Sequence, residues 1–423
     1  MTIIAYYPDN SHKNYKTLVE LYNDSNYKKI FKLRLSCNLN KIPNKIYELD
    51  LKELNCSYNN INSIPDEINK FKNLEILNIS YNKLVYISSE LEKLNKLCNL
   101  NLSNNKNLNL NQINFIFSNL KVLDISFIDC NEIPSFILKL NNLEELNISS
   151  NNLKVIPKEF YNLISLKKIN FISNKIENID SDICKLIKLE DVSFMSNKLT
   201  ELPIEFNQLV KIKKLSIGYN KFTNIPIINN LINLEFFSIQ HNNIKEIPNF
   251  IFDIIKLHTL KLNNNYIKKI PFIINKLINL KYFDIDYNLL KKIPDNLYKL
   301  YNLEYLSISN NKISKISPKI NTLININIIN CFENIINTLP IQILECKKLS
   351  KLNVDNNVII ESDIRITKFI IITSDIDDDI IEFKKELSYI LNKHDLCVMD
   401  NLPIDFKNYL LDRIHNRIYD IEY

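Results

Sequence analysis

The 423-residue chain contains a single glycine, Gly218. Glycine lets a backbone approach a phosphate closely or take a strained nucleophile elbow, so Walker loops, dinucleotide-binding fingerprints, kinase loops and hydrolase elbows are all excluded together. Histidine is nearly as scarce: His12, His241, His258, His394 and His415 are scattered, and no HExxH occurs. The eight cysteines form no CxxC pair and match no zinc spacing. Several of them (Cys56, Cys130, Cys331, Cys346) stand where neighbouring segments have Leu or Ile, which reads as reduced, small core hydrophobes. No run approaches the roughly 18 apolar residues needed to span a bilayer, and the start MTIIAYYPDNSHKNYK lacks the pattern of a secretory signal. No membrane insertion and a cytoplasmic location are therefore expected. The 53 basic and 48 acidic residues leave a formal charge of +5, without the dense basic patch of a nucleic-acid binder. No cofactor, metal or catalytic constellation is legible, so the expectation is a protein that is not an enzyme.

What the chain has is repetition. Aligned on itself, it falls into fifteen units starting at Ile30, Leu51, Leu74, Leu97, Leu120, Leu143, Leu166, Leu189, Ile212, Leu234, Leu257, Leu280, Leu303, Ile326 and Leu349. Twelve of the fourteen intervals are 23 residues; the first is 21 and the one after Ile212 is 22. A clear unit is LEELNISSNNLKVIPKEFYNLIS, residues 143–165, with the pattern LxxLxLxxNxLxxIPxxφxxLxx.

Alternation at positions 4 and 6 specifies a short strand with those side chains inward and positions 3, 5 and 7 outward. One strand per unit stacks into a parallel sheet. At position 9, a buried amide can donate to and accept from the backbones of its own and the neighbouring coil. A structural ladder follows: Asn59, Asn82, Asn105, Asn151, Asn174, Asn197, Asn220, Asn242, Asn265, Asn288, Asn311, Asn334 and Asn357. Asn38 also occupies position 9, and the one exception is Ile128, after a unit whose second half is out of register, so coils 97–142 should be irregular. Proline at position 15, as at Pro65, Pro157 and Pro294, fixes φ and ends the extended segment. The return path should be a short helical or 3-10 turn.

This pattern resembles the leucine-rich-repeat family, and its Ile-Pro element and 23-residue length are most similar to the intracellular, Ras-suppressor-like class. The resemblance covers about residues 30–360. It implies an α/β solenoid, a leucine-rich-repeat horseshoe with its parallel sheet on the concave face and short helical or 3-10 turns on the convex face. It also implies protein partners, with signalling proteins such as a small GTPase among the candidates. Around the solenoid, residues 1–29 are expected to form an N-terminal helical cap, from the helical spacing in YKTLVELYNDSNYKKIF, and 361–423 a C-terminal cap and helical tail. A monomer is expected.

Candidate binding residues are rings on the outward strand positions. Phe236, Tyr282 and Tyr305 share position 3, while Tyr219, His241 and Tyr287 share position 8. Large amphipathic rings are the residues most often found at interface hot spots. They read either as a designated patch or as a consequence of frequent tyrosine, because Tyr58, Tyr81 and Phe127 put rings at position 8 earlier. Six lysines at position 10, Lys83 to Lys312, read as a solvated rim.

Two C-terminal segments carry other possibilities. Asp375, Asp377, Asp379 and Glu386 have EF-hand-like spacing, but Ile380 stands where that loop needs glycine, and the acids also suit a capped helix start. From Leu402, the LPxxFxxYL start of the tail resembles ubiquitin-ligase adaptor motifs. The leading functional reading is a non-enzymatic interaction scaffold or adaptor binding a protein on the concave face. The alternative is a substrate receptor that recruits a ubiquitin ligase through the tail.

Overall fold

A computed structural model describes residues 2–358, which divide into two compact units. The first takes the chain up to Lys221 together with Pro226–Asn233; the second takes Phe222–Ile225 and the chain from Leu234 onward. Each of the fifteen sequence repeats contributes one short strand, nine of them (Lys32–Ser36 to Lys214–Ser216) in the first unit and six (Phe236–Ser238 to Lys351–Asn353) in the second. Within each unit, successive repeat strands pair in parallel with equivalent positions opposite each other, as in Leu146 beside Ile169 and Phe283 beside Leu306.

The coil 143–165 shows how the sequence builds one turn. Its strand Glu145–Asn147 and the residue after it send Leu146 and Ile148 into the core, and Leu143, Leu153, Ile156, Phe160 and Leu163 close the other sides. Each such side chain contributes roughly 1.5–3 kcal/mol by leaving water. Pro157, at φ −68°, caps the 3-10 helix Lys158–Asn162, which carries the chain back along the face opposite the sheet. In place of this proline, three coils have Ser88, Asp180 or Ser317, each accepting from the backbone N–H two residues on. A polar N-cap thus substitutes for proline at the same turn. These three residues also keep an N–H that they use: Ser88 donates to the Ile64 carbonyl, Asp180 to the Tyr161 hydroxyl and Ser317 to the Tyr298 hydroxyl.

After the strand the backbone enters the left-handed region at position 8 in every coil from the second to the last, from Tyr58 (φ 58°) to Asn356 (φ 57°). No glycine serves there. The fourteen residues are Tyr, Phe, His, Asn, Ser and Glu, and none is β-branched, the class for which positive φ is most costly. Position 9 then turns inward. In Asn82 the Nδ2 donates to the carbonyls of Cys56, Ile79 and Ser80, while Oδ1 accepts from the Ile61 N–H. The same bonds recur at Asn174, Asn197, Asn288 and Asn311. Asn38 differs: in the shortened first coil it takes the left-handed conformation itself and lies exposed.

The coils around Ile128 are irregular, as their sequence suggests. Their 3-10 helices shrink to three residues, Leu110–Gln112 and Ile137–Lys139, and a cluster of Phe115, Phe117 and Phe136 fills the space. Ile128 is itself buried, its N–H donating to Asn151 Oδ1.

The N-terminal segment corrects the expected helical cap. Thr2–Tyr6 and His12–Tyr15 form an antiparallel hairpin, and Thr2–Tyr6 also pairs antiparallel with Lys32–Ser36. Its turn is set by Asn10 at φ 64° and by Asp9, whose carboxylate accepts from the Ser11 N–H. An open strand edge needs backbone donors and acceptors, which a helix cannot supply. The helical spacing survives only as Leu18–Tyr22, capped by Thr17, and the 3-10 turn Tyr27–Lys29. The EF-hand-like segment and the tail from Leu402 lie outside the described residues.

Candidate functional site

Positions 3 and 5 of each strand, and position 7 just after it, lie opposite the inward Leu and Ile, so one face of the sheet is a grid of side chains in register, with small position-7 residues such as Ser57, Ser80 and Ser309 buried among their neighbours. In the second unit this grid brings rings together. Strands repeat about every 4.8 Å, and the Tyr282 and Tyr305 rings on adjacent strands stack with centroids 4.1 Å apart and planes within 3°. Lys261 Nζ lies 5.1 Å from the Tyr282 ring centre and 5.8 Å from that of Phe236, within cation–π range. The Tyr305 hydroxyl accepts from Asn330 Nδ2 at 2.9 Å. Phe236, Tyr282 and Tyr305 are half-buried by one another and their neighbours, and burial raises the Tyr282 phenol above its usual range.

Beside the rings stand two acids that sequence reasoning did not single out. Asp284 occupies position 5, with Lys261 and Ser307 as its register partners, and Asp286 occupies position 7 of the same coil. Asp286 accepts from Ser307 Oγ and from the Ser309 N–H, both at 2.6 Å. Burial, reinforced by the charge of Asp284, pushes its carboxyl up to about 7. Asp284 is also raised by burial, against the opposing pull of the Asp286 N–H that donates to it and of Lys261. Flanking Asp286 at position 7 are Asn263, whose Oδ1 is buried without a hydrogen-bond partner, and Ser309, whose Oγ is likewise unpartnered. The available signal was DIDY in the unit that also carries Tyr282. Its acids fall on outward positions, which a charge count cannot register.

The position-8 rings have a different origin. Tyr219 belongs to the first unit and His241 and Tyr287 to the second; Tyr219 and Tyr287 are exposed, and burial lowers the His241 imidazole below its ordinary range. In the first unit, Tyr58 and Tyr81 stack at 4.3 Å with planes within 10°. All five sit at the left-handed turn, which points a side chain outward whatever its identity. The six position-10 lysines are exposed, and Lys198 pairs with Glu177 at 3.2 Å. Among the described residues, no group of three or more His, Cys, Asp or Glu could hold a metal ion, and no helix is long and apolar enough to cross a membrane.

Comparisons with known proteins bear on this architecture. A family profile described as Leucine rich repeat matches residues 50–106 and 278–320, and a second, described as Leucine Rich Repeat, matches residues 142–163. Among solved structures, the chain is similar to a leucine-rich-repeat protein of Leptospira interrogans, at 29% identity and TM-score 0.66, over 84% of this chain and 85% of the other. It is also similar to the plant peptide hormone receptor RGFR1 in complex with RGF2 (24% identity, TM-score 0.55, 78% of this chain and 64% of that one). An internalin, InlF, from Listeria monocytogenes has 23% identity and TM-score 0.54, over 74% and 82% of the two chains. No curated protein matches. Similar solved chains number 488, so likeness of fold selects no single function.

Proposed function

We propose that this leucine-rich-repeat protein is a non-enzymatic scaffold or adaptor that holds a protein partner against the exposed face of its sheet. Its fold is a leucine-rich-repeat solenoid, in which strands at fixed register display side chains from many coils on one surface. The observation that carries the reading is the patch of stacked Tyr282 and Tyr305, Lys261 and the neighbouring acids, a preassembled aromatic surface with polar groups already desolvated. Stacked tyrosines have little rotamer freedom left to lose, which favours them as binding anchors.

The 23-residue Ile-Pro period supports the intracellular Ras-suppressor-like class, and with it a signalling protein, such as a small GTPase, as partner. Cys56, Cys331 and Cys346, buried in the core as free thiols, support a reducing, cytoplasmic setting.

Affinity purification with mass spectrometry, from cells expressing the full chain, tests the reading with the Tyr282→Ala/Tyr305→Ala variant. A partner bound by the unsubstituted protein should be lost, with circular dichroism unchanged. Retention of every partner would place the working surface elsewhere. Loss of ligase subunits only on truncation after Phe369 would favour a ubiquitin-ligase receptor instead.

A further inference from the structure

We infer that Asp284, Asp286, Asn263 and the Tyr282–Tyr305 stack form the recognition site for an arginine side chain, so that the partner presents an arginine-bearing peptide segment. This deepens the sheet-face reading and rests on it.

The patch gathers several acceptors. Two carboxylates and the unpartnered Asn263 Oδ1 stand together; Ser307 Oγ and the Ser309 N–H are engaged with Asp286, and the Asp286 N–H with Asp284. Ser309 is fully buried, at 0% exposure, and its Oγ too lacks a partner. Elsewhere on the sheet edge acids have lysines at ion-pair distance: Glu144 with Lys167, Glu190 with Lys213, Glu304 with Lys281. Among the described residues neither Asp284 nor Asp286 has such a pair, and Lys261, which lies over the rings, offsets the burial of Asp284 only in part. Buried carboxylates without a cation are destabilising, and a bound cation relieves that cost.

Three cations could answer: a metal, an ammonium or a guanidinium. A metal would need more ligands of its own kind than the described residues gather. A guanidinium presents a planar fork of donors that can span two carboxylates and an amide oxygen, and its flat face stacks on tyrosine. An ammonium offers neither the fork nor the face. The stacked tyrosines beside the acids therefore favour arginine.

The probe is a phage-displayed library of random dodecapeptides panned on the full chain. Selected peptides are resynthesised with each arginine replaced by citrulline, which keeps the shape and removes the charge. The expected result is arginine-bearing peptides whose affinity falls at least about tenfold on citrulline substitution. On the Asp284→Asn/Asp286→Asn variant, arginine and citrulline peptides should bind alike. Peptides lost on Tyr282→Ala/Tyr305→Ala but indifferent to citrulline would overturn the arginine assignment and leave the sheet-face reading standing. Binding indifferent to all four substitutions, or no selected peptide, would overturn both. The citrulline comparison uses the unsubstituted protein, so it decides even where a variant fails to fold.

Discussion

Replacing Asn174 with alanine should cost on the order of 3 kcal/mol, because the ladder's bonds are not equally replaceable. Asn174 Nδ2 donates to the Ile148 and Phe171 carbonyls at 3.0 and 3.1 Å, and Oδ1 accepts from the Leu153 N–H at 3.0 Å. The two carbonyls each keep a second donor, Asn151 at 3.1 Å and Asn197 at 2.9 Å. Their loss is partial, roughly 0.5–1 kcal/mol each. The Leu153 N–H loses its acceptor and stays buried, which costs about 1–3 kcal/mol. Equilibrium urea unfolding followed by circular dichroism would measure the sum, and hydrogen exchange at residues 148–176 would show whether the weakening is local. Asn174→Asp should be worse at neutral pH, since it keeps the acceptor but sets a carboxylate against carbonyl oxygens; acidification should recover part of the loss. A loss below about 1 kcal/mol for Asn174→Ala, with exchange at Leu153 unchanged, would refute this account of the ladder.

Three other outcomes follow from single contacts. Ser173 is exposed at φ 55°, so Ser173→Val should lower stability by roughly 1–2 kcal/mol while Ser173→Gly should stay within about 1 kcal/mol, as thermal melts would show; equal effects would mean the turn is not conformationally demanding. Tyr161→Phe should be destabilising by about 1 kcal/mol, because its hydroxyl accepts from Asp180; Tyr47→Phe should be neutral or stabilising, because the Tyr47 hydroxyl is buried without a partner and its following coil has Pro65 in the donor's place. Reversal of that order in urea titrations would sink the pairing rule. For Asp286, the folded-state value near 7 lies above the ordinary 3.8, so the folded protein keeps this proton after the unfolded chain has lost it. Ionisation therefore removes stability as pH climbs from about 4 to about 7, by up to a few kcal/mol, and Asp286→Asn should abolish that slope. A stability difference between the two proteins that is constant from pH 4 to 8 would contradict it.

Periodicity made the coil legible. The inward Leu and Ile, the position-9 asparagines and the prolines each answer a local requirement, so their spacing alone placed strands and turns. The position-15 caps were legible in principle, since Ser88, Asp180 and Ser317 are N-cap residue types where proline is absent. The left-handed turn at position 8 was obscured because glycine, its usual marker, is missing, and its signature is only the exclusion of β-branched residues. The N-terminal hairpin was misread as helix because the need of the first strand's edge outweighed local spacing.

The candidate site divides the same way. That Tyr282 and Tyr305 face outward at one position followed from the repeat, because side-chain direction alternates along a strand. Their flat stacking, the desolvation of Asp286 and the lone Asn263 oxygen did not, because each depends on residues about 23 positions apart meeting across strands at a set separation. Sequence by itself determined the coil, since every coil repeats one local solution to burial and backbone hydrogen bonding. Tertiary structure decided which outward side chains became a shared, half-buried surface, because register and strand spacing set the distances on which stacking and electrostatics depend.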